Sequence, residues 1–430
     1  MCAADAAKTG AAGHTRIISS PVFSRGGSEK KALKMDRDAC GYETRLYRQG
    51  LAEHGTALFA AAGTDGCLNR RHEDCKILHR LLQDVNAGAI VYAKPAQPCA
   101  PALYFLAQTA PDGIIKPEDS ETRMFLHDLA VADGFDRPSI ARALSGRKCV
   151  IVPQQGIVAC GRTAAEAYVH FSAACFSGFV KFFSDTLQEG KTGGIENLRE
   201  QAFLSACSHL PLPPVFNGGL MNGPFETGEQ AKSAITEAGK KIIDLRLVDA
   251  CFGNISYRVK DTLYISSSGS FLDELENDVL SASIKNGLCK TGKPSSELPA
   301  HLEIASLADC RAILHGHPLF SVIMSMDCLE KDCRHTGSCH LDCPAPREVG
   351  GIPVVPGETG SGRFGLCRTV PPAVKRTGAA IVYGHGVFTC ATKDFNEALC
   401  RMADIERTCR EIYFERLSKT TGDYRWNLQA

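Results

Sequence analysis

Short apolar runs closed by glycine, proline or polar residues recur along this chain, and they come in matched pairs. Ala312-Ile313-Leu314 ends in His315-Gly316-His317-Pro318, and Ala379-Ala380-Ile381-Val382-Tyr383 ends in Gly384-His385-Gly386. Runs of this length bounded by turn residues predict strands. Tyr257-Arg258-Val259 and Thr262-Leu263-Tyr264-Ile265-Ser266 predict a hairpin with polar turns. Helix-like stretches follow, one containing Glu166-Ala167 and the other Glu397-Ala398. No uninterrupted apolar run approaches the ~18 residues of a membrane-spanning helix, so no membrane partner is expected.

The pairing extends to residue identity. Positions 151–160 (IVPQQGIVAC) and 381–390 (IVYGHGVFTC) agree at four of ten places, and AIVYAKP at 89–95 stands against AILHGHP at 312–318. The blocks keep their order and a similar spacing, 63 residues from Tyr92 to Gln155 and 70 from His315 to His385. Two blocks in register read as an internal duplication. His315, His317 and His385 fall opposite Tyr92, Lys94 and Gln155, so the second copy reads as active and the first as degenerate.

The duplication sets the expected organisation. Residues 1–34 are Ala/Gly/Ser-rich and read as a disordered leader, 35–205 as a degenerate repeat without the three histidines, 206–222 as a Pro/Gly linker around LPLPPVFNGG, and 223–430 as the catalytic domain. Forty-eight basic residues balance forty-eight acidic ones, which gives no reason to expect nucleic acid as a partner. Twenty cysteines are the outlier. In a large chain that starts without an apolar leader they read as mostly buried free thiols in a reducing cytoplasm.

The paired strands carry the chemistry. Residues i and i+2 of a strand project to one side, so His315 and His317 face one point. His385, flanked by two glycines in a similar strand-end context, supplies a third imidazole. Three neutral imidazoles suit Zn²⁺ and leave a fourth position for substrate. Glu297, in Lys293-Pro294-Ser295-Ser296-Glu297, is a candidate proton-transfer group, and the Ser-Ser-Glu triplet also reads as a helix start with a serine N-cap. Small hydroxyl and glycine residues at 253–256 and 266–269 provide what a phosphate cradle needs.

Together these motifs resemble the class II aldolase/adducin family. The match runs from about Ala231 to Leu417 and comprises GNIS (253–256), ISSSG (265–269), KPSSE (293–297), HGHP (315–318) and GHGVF (384–388). The resemblance implies two α/β/α sandwiches, each around a largely antiparallel central sheet. It implies zinc on His315, His317 and His385, with Glu297 as acid/base. It places the phosphate of a small phosphorylated sugar on Asn254, Ser268, Gly269, Ser295 and Ser296. The activity implied is a lyase of aldolase type, acting on a phosphorylated ketose through a metal-stabilised enediolate. Epimerases, decarboxylases and dehydratases use a similar site, and adducin-like members are non-catalytic scaffolds. Glutamate at 297, where the epimerases usually have aspartate, leans toward aldol cleavage, decarboxylation or dehydration.

The chain departs from the family in three places, and its tail offers a further candidate. One active and one inactive copy would let a homodimer close a pseudo-four-fold ring, with the first half as a wall of the pocket. Cys328, Cys333, Cys339 and Cys343 fall within sixteen residues, a candidate second metal site that reads as structural zinc, an iron–sulfur cluster or a free-thiol loop. Gly357–Arg363 (GETGSGR) is read as a connection, with Arg363 a candidate anion contact. The tail Asp423-Tyr424-Arg425-Trp426 holds the single tryptophan, and Tyr424 is a candidate to cover the site.

Overall fold

The computed structural model describes residues 39–64, 67–307, 309–328, 330, 333–335 and 337–421. The leader and the tail, with Tyr424, lie outside the described residues. A first helix, α1, spans 39–48. Strands β1 (Leu58–Ala61), β2 (Ala89–Ala93), β3 (Ile114–Ile115), β4 (Leu129–Val131), β5 (Cys149–Val152) and β6 (Gly156–Gly161) form the first sheet. Helices α2 (Cys75–Asp84), α3 (Cys99–Thr109), α4 (Ser120–Leu126), α5 (Arg137–Leu144), α6 (Ala164–Thr192) and α7 (Asn197–Cys207) interleave with or follow them.

After the proline-rich connector comes α8 (Gly228–Asp244). The second sheet contains β7 (Asn254–Val259), β8 (Thr262–Ser266), β9 (Val279–Ser283), β10 (Ala312–Gly316), β11 (Arg347–Val349), β12 (Ile352–Val355), β13 (Ala379–Val382) and β14 (Gly386–Ala391). Its helices are α9 (Leu298–Ala305), α10 (Leu319–Met326), α11 (Leu366–Thr377) and α12 (Phe395–Thr421). Local chemistry starts several of these helices. Thr227 and Gln230 form a reciprocal capping box at α8, and Thr163 accepts the Glu166 N–H at α6.

The two sheets repeat one topology. The first runs β1-β2-β6-β5-β4-β3 and the second β9-β8-β7-β10-β14-β13-β12-β11, so the second adds β8 and β9 beyond β7. In each, one neighbouring pair is parallel, β4 with β5 and β12 with β13, and the rest are antiparallel. Register is shared as well: Tyr92 pairs with Val158 as His315 pairs with Phe388, and Ile90 with Cys160 as Ile313 with Cys390.

Each sheet has helices on both faces. The outer layers are separate clusters, Leu78, Leu81 and Ile140 against the first sheet and Ile304, Val370 and Val374 against the second. The inner layers merge into one core that joins the halves. There α6 meets α10 and α12 through aromatic contacts: Phe183 lies 5.7 Å from both Phe320 and Tyr413, and the Tyr413 hydroxyl donates to the Phe183 carbonyl at 2.9 Å. Buried Asp327 adds ion pairs to Lys191 of α6 and Arg416 of α12.

Two cysteine pairs are exceptions to the expectation of mostly free thiols, which the other described cysteines meet. Cys67–Cys75 and Cys310–Cys390 are disulfides. The second spans 80 residues of sequence, and the antiparallel pairing of β10 with β14 brings its partners side by side. No helix of the described residues is long and apolar enough to cross a membrane.

Candidate active site

Four segments converge at one end of the second sheet. β10 lies between β7 and β14, which puts His315 opposite Asn254 on one side and Phe388 on the other. His317 follows at the strand end, its N–H donating to the Leu247 carbonyl at 2.9 Å. The turn from β13 to β14 carries His385, and Glu297 stands at the start of α9. Gly386 makes this convergence sterically feasible, because a Cβ there would sit 2.3 Å from the Gly316 carbonyl oxygen and 2.8 Å from the His317 ring.

The three imidazoles aim their Nε2 atoms at one another. His315 Nε2 lies 3.0 Å from His317 Nε2 and 3.2 Å from His385 Nε2. The Glu297 carboxylate closes the set, 3.3 Å from His315 Nε2 and 3.1 Å from His385 Nε2. Tetrahedral ligation at ~2.0–2.1 Å spaces donor nitrogens about 3.3 Å apart, so these donors fit a zinc ion. The Nδ1–H of His315 donates to the Val387 carbonyl at 3.1 Å, which leaves Nε2 as the lone-pair nitrogen. His315 is stacked on Phe388 at 4.1 Å, and His317 faces Phe252 at 5.9 Å.

Electrostatics match that role at His315 and His317. Burial pushes His315 down to about 4 and His317 well below its ordinary value, keeping both imidazoles neutral. Burial opposes charge on Glu297, but His315, His385 and the Asn254 amide outweigh it and hold the carboxyl well below the usual range. Burial also opposes charge on His385, yet its contact with Glu297 and the charges of Glu297 and Glu121 push it up to about 9. The Asn254 Nδ2 donates to Glu297 at 2.9 Å, while its Oδ1 is buried without a partner. An acceptor left open beside the histidines fits a hydroxyl-bearing ligand.

A cavity of about 100 Å³ opens on this cluster. Asn254, Ser268, Gly269, Ser295 and Ser296 all line it, together with Glu297 and the three histidines. A larger cavity, about 310 Å³, lies at the seam beneath the proline connector, lined by Gln49, Phe179, Pro211, Asp249 and Arg410, and holds none of these residues.

Two local expectations differ from the structure. Glu297 itself occupies the N-cap position of α9, and its side chain turns to the histidines instead of capping; the Ser295 hydroxyl accepts the Glu297 N–H at 3.3 Å. The loop at 357–365 is more than a connection, since Thr359 reaches the cavity while Arg363 is exposed and lies over Phe364. Burial and the neighbouring Cys343, Cys333 and Cys328 push the Cys339 thiol up. Among the described residues, however, only His315, His317 and His385 bring three metal-ligating atoms within 4.8 Å of one another. In the first half, Tyr92 and exposed Lys94 stand where His315 and His317 do, and the Tyr92 hydroxyl donates to the Gln155 carbonyl at 3.1 Å. Sequence reasoning also missed Glu121, a first-half residue that lines the cavity.

What fold and geometry define is an α/β domain with a buried three-histidine centre. The model of the Class II Aldolase and Adducin N-terminal domain matches residues 233–413 of this chain. An L-fuculose phosphate aldolase of Methanocaldococcus jannaschii is 34% identical over 87 residues, 20% of this chain and 48% of the relative. One of Methanococcus maripaludis is 37% identical over 86 residues, 20% of this chain and 47% of the relative. The chain thus spans about half the length of the curated relatives it matches. Among solved structures, L-fuculose-1-phosphate aldolase from Thermus thermophilus shares 24% identity, covering 45% of this chain and 98% of its own, with a TM-score of 0.35. A sugar-phosphate aldolase from Thermotoga maritima shares 22%, covering 44% and 96%, with a TM-score of 0.34.

Proposed function

We propose that the chain is a zinc-dependent lyase that makes or breaks a carbon–carbon bond of a small phosphorylated ketose. The observation that carries this reading is the meeting of three imidazole Nε2 atoms and the Glu297 carboxylate at 3.0–3.3 Å, beside a hydroxyl-lined cavity. His315, His317 and His385 would hold the metal. Zinc there supplies Lewis-acid polarisation of the ketose carbonyl and adjacent hydroxyl, stabilising negative charge as the bond breaks. Ser268, Gly269, Ser295 and Ser296 hold the phosphate through hydroxyl and backbone donors, whereas Asn254, expected among them, already donates its amide to Glu297. Glu297, kept ionised by its neighbours, moves a proton on and off the carbon next to the carbonyl. Asn254 fixes the carboxylate and offers its free Oδ1 to a substrate hydroxyl.

The first half is read as a degenerate copy, on the strength of the shared strand order and register. A homodimer with pseudo-four-fold symmetry follows from that reading. The test is to incubate the zinc-loaded protein with a panel of ketose 1-phosphates and to analyse the products. Cleavage to a three-carbon ketose phosphate and an aldehyde is expected, with none in His385→Ala. Epimerised, decarboxylated or dehydrated products in place of cleavage would overturn the aldolase assignment.

A further inference from the structure

We propose that Glu121, contributed by the first half, is a positioning residue for His385, so that the metal centre is completed across the seam of a single chain. The inference rests on the zinc reading above.

The Nε2 of His385 faces the other two imidazoles, and its opposite nitrogen, Nδ1, faces Glu121, whose Oε2 lies 3.7 Å away. That is an ion-pair distance rather than a formed hydrogen bond. His315 has the Val387 carbonyl on the corresponding side, so both rings have an acceptor behind the nitrogen that points away from the centre. An acceptor in that position fixes the tautomer and the ring plane and raises the basicity of the ligating nitrogen.

The helix that carries Glu121 is anchored to the same turn. Ser120 donates its backbone N–H to the Gly384 carbonyl at 2.7 Å and its hydroxyl to the same oxygen at 3.0 Å. The approach is close enough that a Cβ on Gly384 would meet the Ser120 nitrogen at 3.1 Å, at a residue whose φ is +60°. Asp119, fully buried, accepts the Thr122 N–H at 2.6 Å and so fixes the start of α4. Further along the helix, Phe125 packs edge-on against Phe252 at 5.4 Å, the ring that faces His317. One short first-half helix therefore touches the surroundings of two of the three histidines. The half that lost its own imidazoles has a defined task in this arrangement, which is to hold those of the other.

Competition with a chromogenic chelator on the full chain, with zinc as the probe, tests this. Glu121→Ala is expected to weaken zinc affinity 10–100-fold. Glu121→Gln, whose amide oxygen can serve as an acceptor for Nδ1–H, is expected to recover most of that loss. Met124→Ala, on the exposed face of the same helix, is expected to change nothing. Wild-type affinity in Glu121→Ala at an unchanged melting temperature would overturn the proposal, as would an equal loss in the alanine and glutamine variants. A wild-type chain that fails to bind zinc would overturn both this proposal and the reading beneath it, whereas zinc binding that is indifferent to Glu121 removes only the role of Glu121.

Discussion

Glu297 shows how a buried charge is kept at a reactive site. Side chains of this kind lose hydration on burial and ordinarily neutralise. Here one carboxylate meets two imidazoles and an amide within 2.9–3.3 Å, and the balance tips to the ionised form. Replacing it with the isosteric amide keeps the packing and removes the proton acceptor. Glu297→Gln is therefore expected to retain zinc while turnover falls 10²–10⁴-fold, measured by steady-state kinetics and metal analysis on the same sample. Turnover within tenfold of wild type would take the acid/base role away from Glu297. At this scale, the meeting of His315 and His317 was legible from their i,i+2 spacing at a strand end, and His385 from its similar glycine-flanked strand end, whereas the place of Glu297 beside them came only with the family resemblance of its Ser-Ser-Glu motif. Glu121 was not. It lies on a seven-residue helix whose Ser120 is 264 residues from its bonding partner Gly384, and no local pattern reports a contact made only by tertiary packing.

At the scale of elements, the β7–β8 hairpin and the strands before the histidines were readable from apolar runs closed by turn residues, and the structure has them. The start of α9 was read less well. Ser-Ser-Glu has the composition of an N-cap, but local propensity yields when a side chain has stronger partners in the site. The opposite case is α4, where capping prevails at an electrostatic cost. Burial pushes Asp119 up from 3.8 to about 6, although the Thr122 hydroxyl and N–H partly offset it. A carboxyl whose folded pKa is raised binds its proton more tightly in the folded state. Its favourable contribution is full below about pH 4 and is lost as pH rises through about 6. Asp119→Asn keeps a capping oxygen and cannot ionise. The variant is expected to lose that part of the fall in stability between pH 4 and 6 and to be more stable than wild type at pH 7.5. Urea unfolding at several pH values measures this, and parallel stability–pH curves for the two proteins would refute it.

On the scale of the whole molecule, the decisive feature is the shared core. Two sheets of one topology would form independent domains if each carried its own complete inner helix layer. Instead Phe320, Tyr413 and Phe414 of the second half are fully or almost fully buried, and part of their cover is Phe179, Phe183 and Phe203 of the first. A buried aromatic side chain removes ~150–250 Å² from water, or about 4–6 kcal/mol at ~25 cal/mol per Å². Uncovering even half of that area on three such rings would remove about 6–9 kcal/mol. Whole domains are stable by only about 5–15 kcal/mol. The Asp327 side chain would be buried no longer and would lose Lys191, and His385 would lose Glu121. A fragment covering residues 206–430 holds every residue assigned to zinc and phosphate. It is nevertheless expected to aggregate or to melt far below the full chain, with little zinc bound. Expression of the fragment, followed by sedimentation, thermal melting and chelator competition, checks this. A monodisperse fragment with full-chain zinc affinity would show that the two halves share a scaffold without sharing a site.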